Sequence, residues 1–348
     1  MGADPHPQRT PLAVSMGDPA GIGLEIAIKA WNQRGEKGLP PFVMFADPGA
    51  LAARARMLGL NVPIADVATA AEGFDAFSAS LPVKAVPLAK PAQAGTPDTA
   101  NAPAVIASIE QATAAVAGGE ARALVTNPIS KHVLVQTGFA HPGHTEFLAS
   151  LGERHAPGKR CRPVMMLASP MLRVVPMTVH CPLASVPAAI TRTLIFETVR
   201  ITFDTLKRDF GLAAPRIAVT GLNPHAGEEG DIGREEIDTI APAVNELRAE
   251  GLLVSGPYPA DTLFHAEARR GYDVAVCMYH DQALVPFKTL AFDEGVNVTL
   301  GLPFVRTSPD HGTAFDIAAD GSASPRSFIE ALRLAAAIAG ARAAAVRP

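Results

Sequence analysis

Short apolar segments alternate with longer segments of helical periodicity along most of the chain, and this alternation limits the folds open to it. The apolar segments have the length of strands that are buried on both faces of a sheet. They lie at residues 12–16, 42–45, 123–126, 164–167, 217–222, 274–278 and 296–300. The helical segments repeat apolar residues at spacings of three and four, most clearly at 21–31, 104–116, 194–210, 234–250 and 327–339. The pattern predicts an α/β fold with helices on both faces of a sheet.

The length of 348 residues predicts two domains, or one large α/β body with an inserted lobe. A hydrophobic content of 48% with 18% charged residues is typical of a folded enzyme and excludes a largely disordered chain. Residues 1–10 are the exception, and we expect them to be untethered. The longest irregular segment, at 83–103, is rich in Pro and Ala and is either a lid or a surface connection.

The charge balance excludes two classes of partner. A formal net charge of -4 and an isoelectric point near 6.2 provide no basic surface for nucleic acid or for an anionic membrane. No segment approaches the roughly 18 apolar residues of a spanning helix, and the beginning of the sequence lacks the apolar core of a signal peptide. The prediction is a cytoplasmic protein.

Three cysteines at irregular spacing predict reduced thiols rather than a disulfide framework. Cys277 lies in an apolar run and Cys181 lies between Val179 and Leu183, so we expect both to be packed rather than reactive. Cys161 stands between two arginines and is the candidate for exposure.

Three of the ten histidines stand at or just after the end of an apolar run: His180 in MTVHCPL, His225 in GLNPHAGE and His280 in MYHDQALVPFK. No short metal signature such as HExxH joins them. Three imidazoles from three loops can form a site for a borderline divalent metal such as zinc or cobalt, with one position open for substrate. The alternative is that each is a hydrogen-bonded structural residue. A histidine in a loop is more often such a structural residue, so the spacing alone makes the metal site the less favoured of the two interpretations.

Two carboxylates accompany these histidines. Asp281 directly follows His280, and Asp261 lies in the segment GPYPADTLF. Either carboxylate could orient a ligand histidine or accept a proton. For Asp261 the alternative is a helix N-cap, because a short helix is predicted to follow it.

Three donors occur on successive elements: Lys288 in HDQALVPFK, Asn297 in GVNVTLG and Arg306 in FVRTSPDHG. They suit a substrate with a phosphate and a carboxylate, because a guanidinium binds such groups in a fork and an ammonium acts as a point charge. Taken singly, each is more often a solvated surface residue. Their position within apolar, strand-like segments favours a binding site.

A second candidate for anion binding is the segment GHTEFLASL, which places Thr145 at a predicted helix start with His144 just before it. Free backbone N–H groups at a helix start attract anions, although plain capping by Thr145 explains the same residues. The segment GDPAGIG from Gly17 matches neither GxGxxG nor GxxxxGK[ST], so neither a Rossmann fingerprint nor a P-loop is predicted there. The remaining interpretation is a tight strand-to-helix turn.

Together these segments resemble one family, the 4-hydroxythreonine-4-phosphate dehydrogenases of pyridoxal phosphate biosynthesis. The resemblance runs from about residue 11 to residue 340 and rests on the order of six motifs: GDPAGIG, GHTEFLA, NPHAGE, GPYPADTLF, YHDQALVPFK and GVNVTLGLPFVRTSPDHGTAFDIA. Two departures are visible. Leu24 stands where a proline is common, and Val179 stands where a threonine commonly precedes the metal histidine.

The resemblance implies an α/β fold similar to isocitrate and isopropylmalate dehydrogenases, with two α/β domains and a cleft between them, and not a Rossmann fold. By analogy, residues 11–145 with 305–348 form the first domain, which carries much of the cofactor site. Residues 146–304 form the second, with the metal ligands and the dimer contacts. The family also implies a homodimer with its active site at the subunit interface.

The resemblance assigns a role to each candidate residue. Metal ligands would be His180, His225 and His280. Substrate contacts would be His144, Thr145, Lys288, Asn297 and Arg306. The cofactor, NAD or NADP, would lie against Ser308, Asp310, His311 and Gly312. The general base stays open among Asp281, Asp261, Lys288 and a water molecule.

The implied reaction is oxidation of 4-phosphooxy-L-threonine at C3, assisted by one divalent metal such as Zn, Mg or Co. The product, 2-amino-3-oxo-4-phosphooxybutanoate, is a β-keto acid that loses carbon dioxide to give 3-amino-2-oxopropyl phosphate.

Similar enzymes oxidise 4-phospho-D-threonate, 4-phospho-D-erythronate or a cis-dihydrodiol dicarboxylate, and the set of phosphate donors disfavours only the dihydrodiol. From other classes, a phosphotransferase would need the lysine that GDPAGIG lacks. A noncatalytic metal-binding protein would not need the full set of site residues.

Overall fold

The computed structural model describes residues 10–158 and 160–345, and they group into two units. The first unit contains the described residues up to Pro163 and Leu302–Ala343, and the second contains Val164–Gly301 and the end of the chain. Of the segment predicted to be untethered, residues 1–9 lie outside the described residues. No helix in the described part of the chain is long and apolar enough to cross a membrane.

Strands and helices alternate along both units, which confirms the predicted α/β fold. The strands are β1 (Leu12–Ser15), β2 (Phe42–Ala46), β3 (Ile64–Asp66), β4 (Leu81–Ala85), β5 (Leu124–Thr126), β6 (Val164–Ala168), β7 (Arg173–Pro176), β8 (Ile217–Thr220), β9 (Val254–Tyr258), β10 (Val274–Cys277), β11 (Val296–Leu300) and β12 (Arg306–Pro309). The helices are α1 (Gly23–Asn32), α2 (Arg34–Lys37), α3 (Pro48–Met57), α4 (Ala70–Ala76), α5 (Ala102–Ala117), α6 (Lys131–Val135), α7 (His144–His155), α8 (Val186–Ala189), α9 (Arg192–Asp209), α10 (Ala241–Ala249), α11 (Ala260–Leu263), α12 (His280–Ala291) and α13 (Arg326–Ala345). Short 3-10 turns lie at Thr99–Asn101, Leu183–Ser185, Pro224–Gly230 and Ala268–Gly271, and a π-helical turn lies at Glu236–Ile240.

In the first unit the strands lie in the order β3-β4-β2-β1-β5-β12, and the neighbours run parallel. Parallel strands are buried on both faces, which explains why β1 and β2 are apolar at almost every position. The strand β12 is different, because its sequence RTSP is polar although all four residues are buried. Its side chains must therefore find hydrogen-bond partners inside the unit.

In the second unit the order is β11-β6-β7-β10-β8-β9, where β7, β10, β8 and β9 run parallel and β6 is antiparallel to both neighbours. The helix α12 packs on this sheet through Ala283 and Phe287, which are fully buried with Val174 and Ala275. The first residue of α12 is His280, so this packing also sets the position of one candidate metal ligand.

The predicted domain limits can be compared with the two units. The units divide between Pro163 and Val164 and between Gly301 and Leu302, whereas the family analogy places the limits after residue 145 and after residue 304. Helix α7 belongs with the first unit, where it packs against α5 and where Arg154 Nη1 donates to Glu110 Oε1 at 3.3 Å.

All three cysteines are free thiols, as predicted. Cys277 is fully buried, and burial raises the pKa of its thiol, so the prediction of a packed, unreactive residue is confirmed. The same prediction for Cys181 is wrong, because the chain turns outward after β7 and exposes this residue. Cys161, the candidate for exposure, is half-buried.

The segment GDPAGIG forms a buried turn between β1 and α1. Gly17 has a φ of +74°, and a Cβ built on it would lie 2.7 Å from both Asn127 Cβ and Pro128 O. The backbone N–H of Ile22 donates to Thr313 O at 3.0 Å, and Arg54 donates to the carbonyl oxygens of Pro19 and Gly21. The interpretation as a tight strand-to-helix turn is confirmed.

Two glycines with positive φ separate the effect of crowding from the effect of backbone strain. Gly38 has a φ of +57° and no described atom within 4 Å of a built Cβ, so Gly38→Ala should lower the free energy of unfolding by about 1 kcal/mol through strain alone. Gly17→Ala adds the collision with Asn127 and Pro128, and should cost roughly 2–4 kcal/mol. Urea unfolding of both variants checks this, and equal losses would contradict the close approach at Gly17.

Candidate active site

The three candidate metal ligands follow three adjacent parallel strands of the second unit. The strands β7, β10 and β8 are neighbours in that order. His180 follows the end of β7, His280 follows the end of β10, and His225 follows the end of β8. Because the carboxyl ends of parallel strands share one edge of a sheet, the topology brings the three loops to the same edge.

His180 and His280 are close together at this edge. Their ring centroids are 5.9 Å apart. His280 Nδ1 lies 2.7 Å from Asp281 Oδ1, which leaves Nε2 as the ring nitrogen available for a ligand bond. A cavity of about 390 Å³ is lined by both histidines, by Asp281 and by the loop from Thr178 to Val186.

His225 stands in a left-handed turn. Five consecutive residues, His225 to Glu229, have positive φ, and four of them are not glycine. Its Nδ1 is hydrogen-bonded to Glu228 Oε1 at 2.5 Å. This bond and the charge of Glu228 raise the pKa of His225, and the negative charge of Asp261 raises it further. Asp261 therefore contributes negative charge near His225, and its catalytic role remains a prediction.

The three histidines are chemically suited to a borderline divalent metal, but the described residues of this chain do not bring three ligands together. Within residues 10–158 and 160–345, no three His, Cys, Asp or Glu side chains converge closely enough to enclose a cation. Two imidazoles are adjacent, the third lies on the same edge, and carboxylates contact two of the three rings. Imidazoles held by carboxylates on their second nitrogen are the usual ligands of zinc-like metals.

Two buried polar residues that the sequence interpretation missed hold this edge together. Gln282 is 9% exposed and bonds to Met278, Thr220 and Gly221, and Glu236 is 3% exposed and bonds to the loop that carries His225. The available signal for Gln282 was its polar side chain among the apolar residues of α12, two positions after His280. Glu236 carried no such signal, because its helix looks amphipathic throughout.

Lys288 and Asn297, the other candidates in the second unit, are half-buried. Lys288 lies two turns beyond His280 on α12, with its Nζ 5.3 Å from the centre of the Phe292 ring. Asn297 lies on β11 opposite Leu167 of β6. Their substrate contacts remain predictions.

In the first unit, the candidate anion donors are Arg306, which is buried, and His144, which is half-buried with a buried Nε2. Arg306 is 4% exposed, and its Nε and Nη2 donate to Thr126 Oγ1 at 3.1 and 2.6 Å. Burial lowers the pKa of Arg306 to about 10, so the group is still a cation at neutral pH. Burial also lowers the pKa of His144 well below its usual range, and the charge of Arg306 lowers it further. At neutral pH the pair is a cation beside a neutral imidazole.

The start of α7 supplies further donors at this place. The helix begins at His144 with Gly143 as its N-cap residue, and no side-chain cap bonds its first turn among the described residues. His144 Nε2 is buried and has no hydrogen-bond partner in the described part of the chain. Free helix N–H groups, a buried imidazole nitrogen and a guanidinium suit an anionic group such as a phosphate.

The capping alternatives from the sequence are wrong. Thr145 is the second residue of α7 rather than its cap. Asp261 is the second residue of α11, whose N-cap residue is Pro259 and which has no side-chain cap bond in the described residues. Neither residue therefore caps its helix, which is the structural role that its position in the sequence suggested.

The four candidate cofactor residues lie at the end of β12 and in the loop that follows it. Ser308 is buried in the strand, and the Asp310 N–H donates to Ser327 Oγ at 3.0 Å. His311 Nδ1 lies 3.1 Å from Gly312 O, and Gly312 faces open space, with no described atom within 4 Å of a built Cβ. Because GDPAGIG is buried and bonded to the same loop through Thr313, this loop rather than the glycine-rich turn offers the accessible surface.

Comparison with known proteins identifies the family. Residues 38–335 match the family described as Pyridoxal phosphate biosynthetic protein PdxA. The 4-hydroxythreonine-4-phosphate dehydrogenase of Methylorubrum populi is 57% identical over 327 residues, which is 93% of this chain and 93% of that protein. A crystal structure of 4-hydroxythreonine-4-phosphate dehydrogenase from Klebsiella pneumoniae is similar with a TM-score of 0.84 at 37% identity, covering 95% of this chain and 99% of the other.

A terephthalate 1,2-cis-dihydrodiol dehydrogenase from Burkholderia xenovorans is a more distant structural relative. Its TM-score is 0.62 at 28% identity, covering 94% of this chain and 98% of the other. The fold and these relatives define an α/β oxidoreductase. The chain belongs to the Pyridoxal phosphate biosynthetic protein PdxA family, which confirms the resemblance seen in its motifs.

The lowered pKa of His144 has a consequence for stability. The unfolded chain takes up a proton on this histidine near pH 6.5, whereas the folded chain resists it. The contribution of the neutral His144 to the free energy of unfolding is therefore fully present above pH 6.5. It is lost as the pH falls from 6.5 toward the lower pKa of His144 in the folded chain, at up to about 1.4 kcal/mol per pH unit. His144→Gln should have a shallower loss of unfolding free energy between neutral and acidic pH than the wild-type protein. Parallel slopes for the two proteins would contradict a desolvated His144.

Proposed function

We propose that this chain is an NAD(P)-dependent, divalent-metal-assisted 4-hydroxythreonine-4-phosphate dehydrogenase that oxidises 4-phosphooxy-L-threonine at C3. The observation that carries the proposal is the set of three histidines on one edge of the parallel strands β7, β10 and β8. Family membership and the similarity to 4-hydroxythreonine-4-phosphate dehydrogenases support the same substrate.

The phosphate of the substrate binds at the start of α7. Arg306 contributes a buried cation, and His144 contributes a neutral ring beside it. A neutral His144 can donate one N–H to a phosphate oxygen without adding charge, so Arg306 is the main source of electrostatic attraction. Thr145 adds a hydroxyl in the first turn of the same helix.

The reacting carbon is held through its hydroxyl at the histidine edge. His180, His225 and His280 are the residues that would hold a divalent metal, which would supply Lewis-acid polarisation of the substrate hydroxyl. Lys288 and Asn297 are proposed to bind the remaining polar groups of the substrate. Asp281 keeps His280 in one tautomer through the bond at 2.7 Å, so it serves the imidazole and is less free to take the hydroxyl proton.

The reaction removes one hydride and one proton from the substrate. Ser308, Asp310, His311 and Gly312 are the residues that would hold NAD or NADP, whose nicotinamide would accept the hydride from C3. The hydroxyl proton passes to a base, for which Asp261 is the exposed carboxylate acting on the histidine turn, with Lys288 and water as the other candidates. The β-keto acid then loses carbon dioxide to give 3-amino-2-oxopropyl phosphate. We propose that the enzyme acts as a homodimer with residues from both subunits at each site.

The first test is reduction of nicotinamide by the purified protein with 4-phosphooxy-L-threonine, measured by absorbance with and without a chelator. We expect metal-dependent reduction that is fastest with this substrate, and parallel assays with 4-phospho-D-threonate and 4-phospho-D-erythronate as controls. If the enzyme prefers either D-acid, that acid replaces 4-phosphooxy-L-threonine as the proposed substrate, and the proposed type of reaction is unchanged. No reduction of NAD or NADP with any of the three, in metal-replete protein, would refute the proposal.

A second test concerns the phosphate. Arg306→Lys keeps a positive charge but loses the planar fork and its two bonds to Thr126, so the KM for the phosphorylated substrate should rise about 10- to 100-fold. Arg333→Lys is the matched control, because Arg333 is an exposed arginine paired with Glu330 in the same unit. An unchanged KM in the Arg306 variant would argue against the phosphate site at α7.

A further inference from the structure

We propose that Thr126 is a positioning residue that fixes the guanidinium of Arg306, and so sets the affinity of this site for a phosphorylated substrate. The family resemblance assigned a role to Arg306 and none to Thr126. The inference rests on the phosphate binding in the proposed function and deepens it. It involves residues of the first unit alone.

Strand pairing brings Thr126 and Arg306 to one face of the sheet. Arg306 on β12 lies opposite Leu124 on β5, and the two strands run parallel. Side chains alternate along a strand, so Thr126, two residues after Leu124, lies on the same face as Leu124 and Arg306. Two residues of a parallel strand span about 6.6 Å, a length that an extended arginine side chain covers. The register therefore brings the guanidinium within reach of the Thr126 hydroxyl.

The hydroxyl of Thr126 holds one edge of the guanidinium. Nε and Nη2 of Arg306 both donate to Thr126 Oγ1, at 3.1 and 2.6 Å. Because the guanidinium is planar, two bonds to one atom turn this edge of the group toward β5. The accepting oxygen is neutral, so Thr126 orients the cation without adding a negative charge that would repel a phosphate.

Thr126 is a rigid anchor for this contact. It is fully buried at the end of β5, which lies between β1 and β12, and it pairs with Ser15 of β1. Its β-branched side chain has restricted rotation at χ1. An arginine side chain has many rotamers, and ordering them when a ligand binds lowers the affinity. The bond to Thr126 orders Arg306 in advance.

The orientation matters because the cation lies near the start of α7. Desolvation lowers the pKa of His144, the first residue of α7, and the charge of Arg306 lowers it further, so the guanidinium is within electrostatic range of this helix start. The phosphate is proposed to bind there, where helix N–H groups also attract anions. A guanidinium released from Thr126 would spend less time in the position that serves this site.

The main test is Thr126→Val, which keeps the branched shape and removes the acceptor. The KM for 4-phosphooxy-L-threonine should rise about 10- to 50-fold while kcat changes less than about 2-fold. The dissociation constant of inorganic phosphate, measured without turnover by phosphorus NMR titration, should rise by a similar factor. A smaller fraction of folded protein lowers kcat and leaves KM unchanged, so the two parameters separate positioning from a purely structural role.

Two further variants grade the effect. Thr126→Ser restores the hydroxyl, so its KM should stay within about 3-fold of the wild-type value. Thr126→Ala removes the hydroxyl but leaves room for a water molecule, which keeps the test valid if Thr126→Val folds poorly. Its KM should lie between those of the serine and valine variants.

The matched control is Thr113→Val in the same unit. Thr113 is also fully buried, and its Oγ1 donates to Ile109 O at 2.7 Å within α5. Loss of this hydroxyl should leave the KM and the dissociation constant of phosphate unchanged, even if the melting temperature falls.

The possible failures are distinguishable. Wild-type KM and phosphate affinity in folded Thr126→Val and Thr126→Ala would overturn the positioning role alone, and so would a fall in kcat at unchanged KM. If the wild-type protein bound no inorganic phosphate, or bound it equally well after Arg306→Lys, the phosphate site of the proposed function would fall and this inference with it.

Discussion

Parallel pairing of β7, β10 and β8 is the constraint on which the chemistry of the second unit depends. Each strand ends at the same edge, so each following loop must begin there. The three loops differ in form: one is irregular, one is a left-handed turn, and one is the first turn of α12. What they share is the edge at which they begin, and on this ground we propose that histidines far apart in sequence serve one site.

Strand pairing alone does not set the distances between the loops. A loop that leaves a strand has many conformations, and fixing each residue costs about 1–2 kcal/mol of conformational entropy. Buried hydrogen bonds from Thr178, Gln282 and Glu236 oppose this freedom at the three histidine loops. Since a buried polar group without a partner is costly, a change of loop conformation would break several satisfied bonds at once.

Much of the fold could be predicted from the sequence, because apolar runs and helical periodicity are local signals. All seven predicted strands and all five predicted helices are present, with ends shifted by a few residues. Five of the described strands were missed. Of these, β9 contains a Gly-Pro pair and β12 is polar, whereas β3, β4 and β7 are short and contain a charged residue or a proline. In β12 the polar side chains are satisfied by residues far away in sequence, such as Ala331 O for Thr307 Oγ1. No local pattern can reveal such partners.

The same distinction between local signals and partners far away in sequence applies to the candidate active site. The histidines and Arg306 could be singled out because their residue types are rare in strand-like surroundings, and the motif order then gave them roles. Gln282 stands out only as a polar residue among the apolar residues of its helix, and its partners could not be predicted, because Thr220 and Gly221 are 62 and 61 residues away. The predicted helix at 234–250 begins instead as a π-helical turn that contains Glu236, and only the folded structure shows that this carboxylate faces the turn of His225.

The two candidate binding regions differ in exposure, and the proposed chemistry explains the difference. His180 and His225 are exposed, as ligands must be if a metal is to exchange water for a substrate hydroxyl. Arg306 is buried, and a cation with little competing water attracts a phosphate more strongly than an exposed one. Desolvation, and after it the charge of Arg306, lowers the pKa of His144 and keeps the ring neutral, so this region carries one positive charge rather than two. With one cation at the proposed phosphate site, the phosphorylated product can be released after the reaction. A second cation would hold the phosphate more tightly without favouring the oxidation at C3.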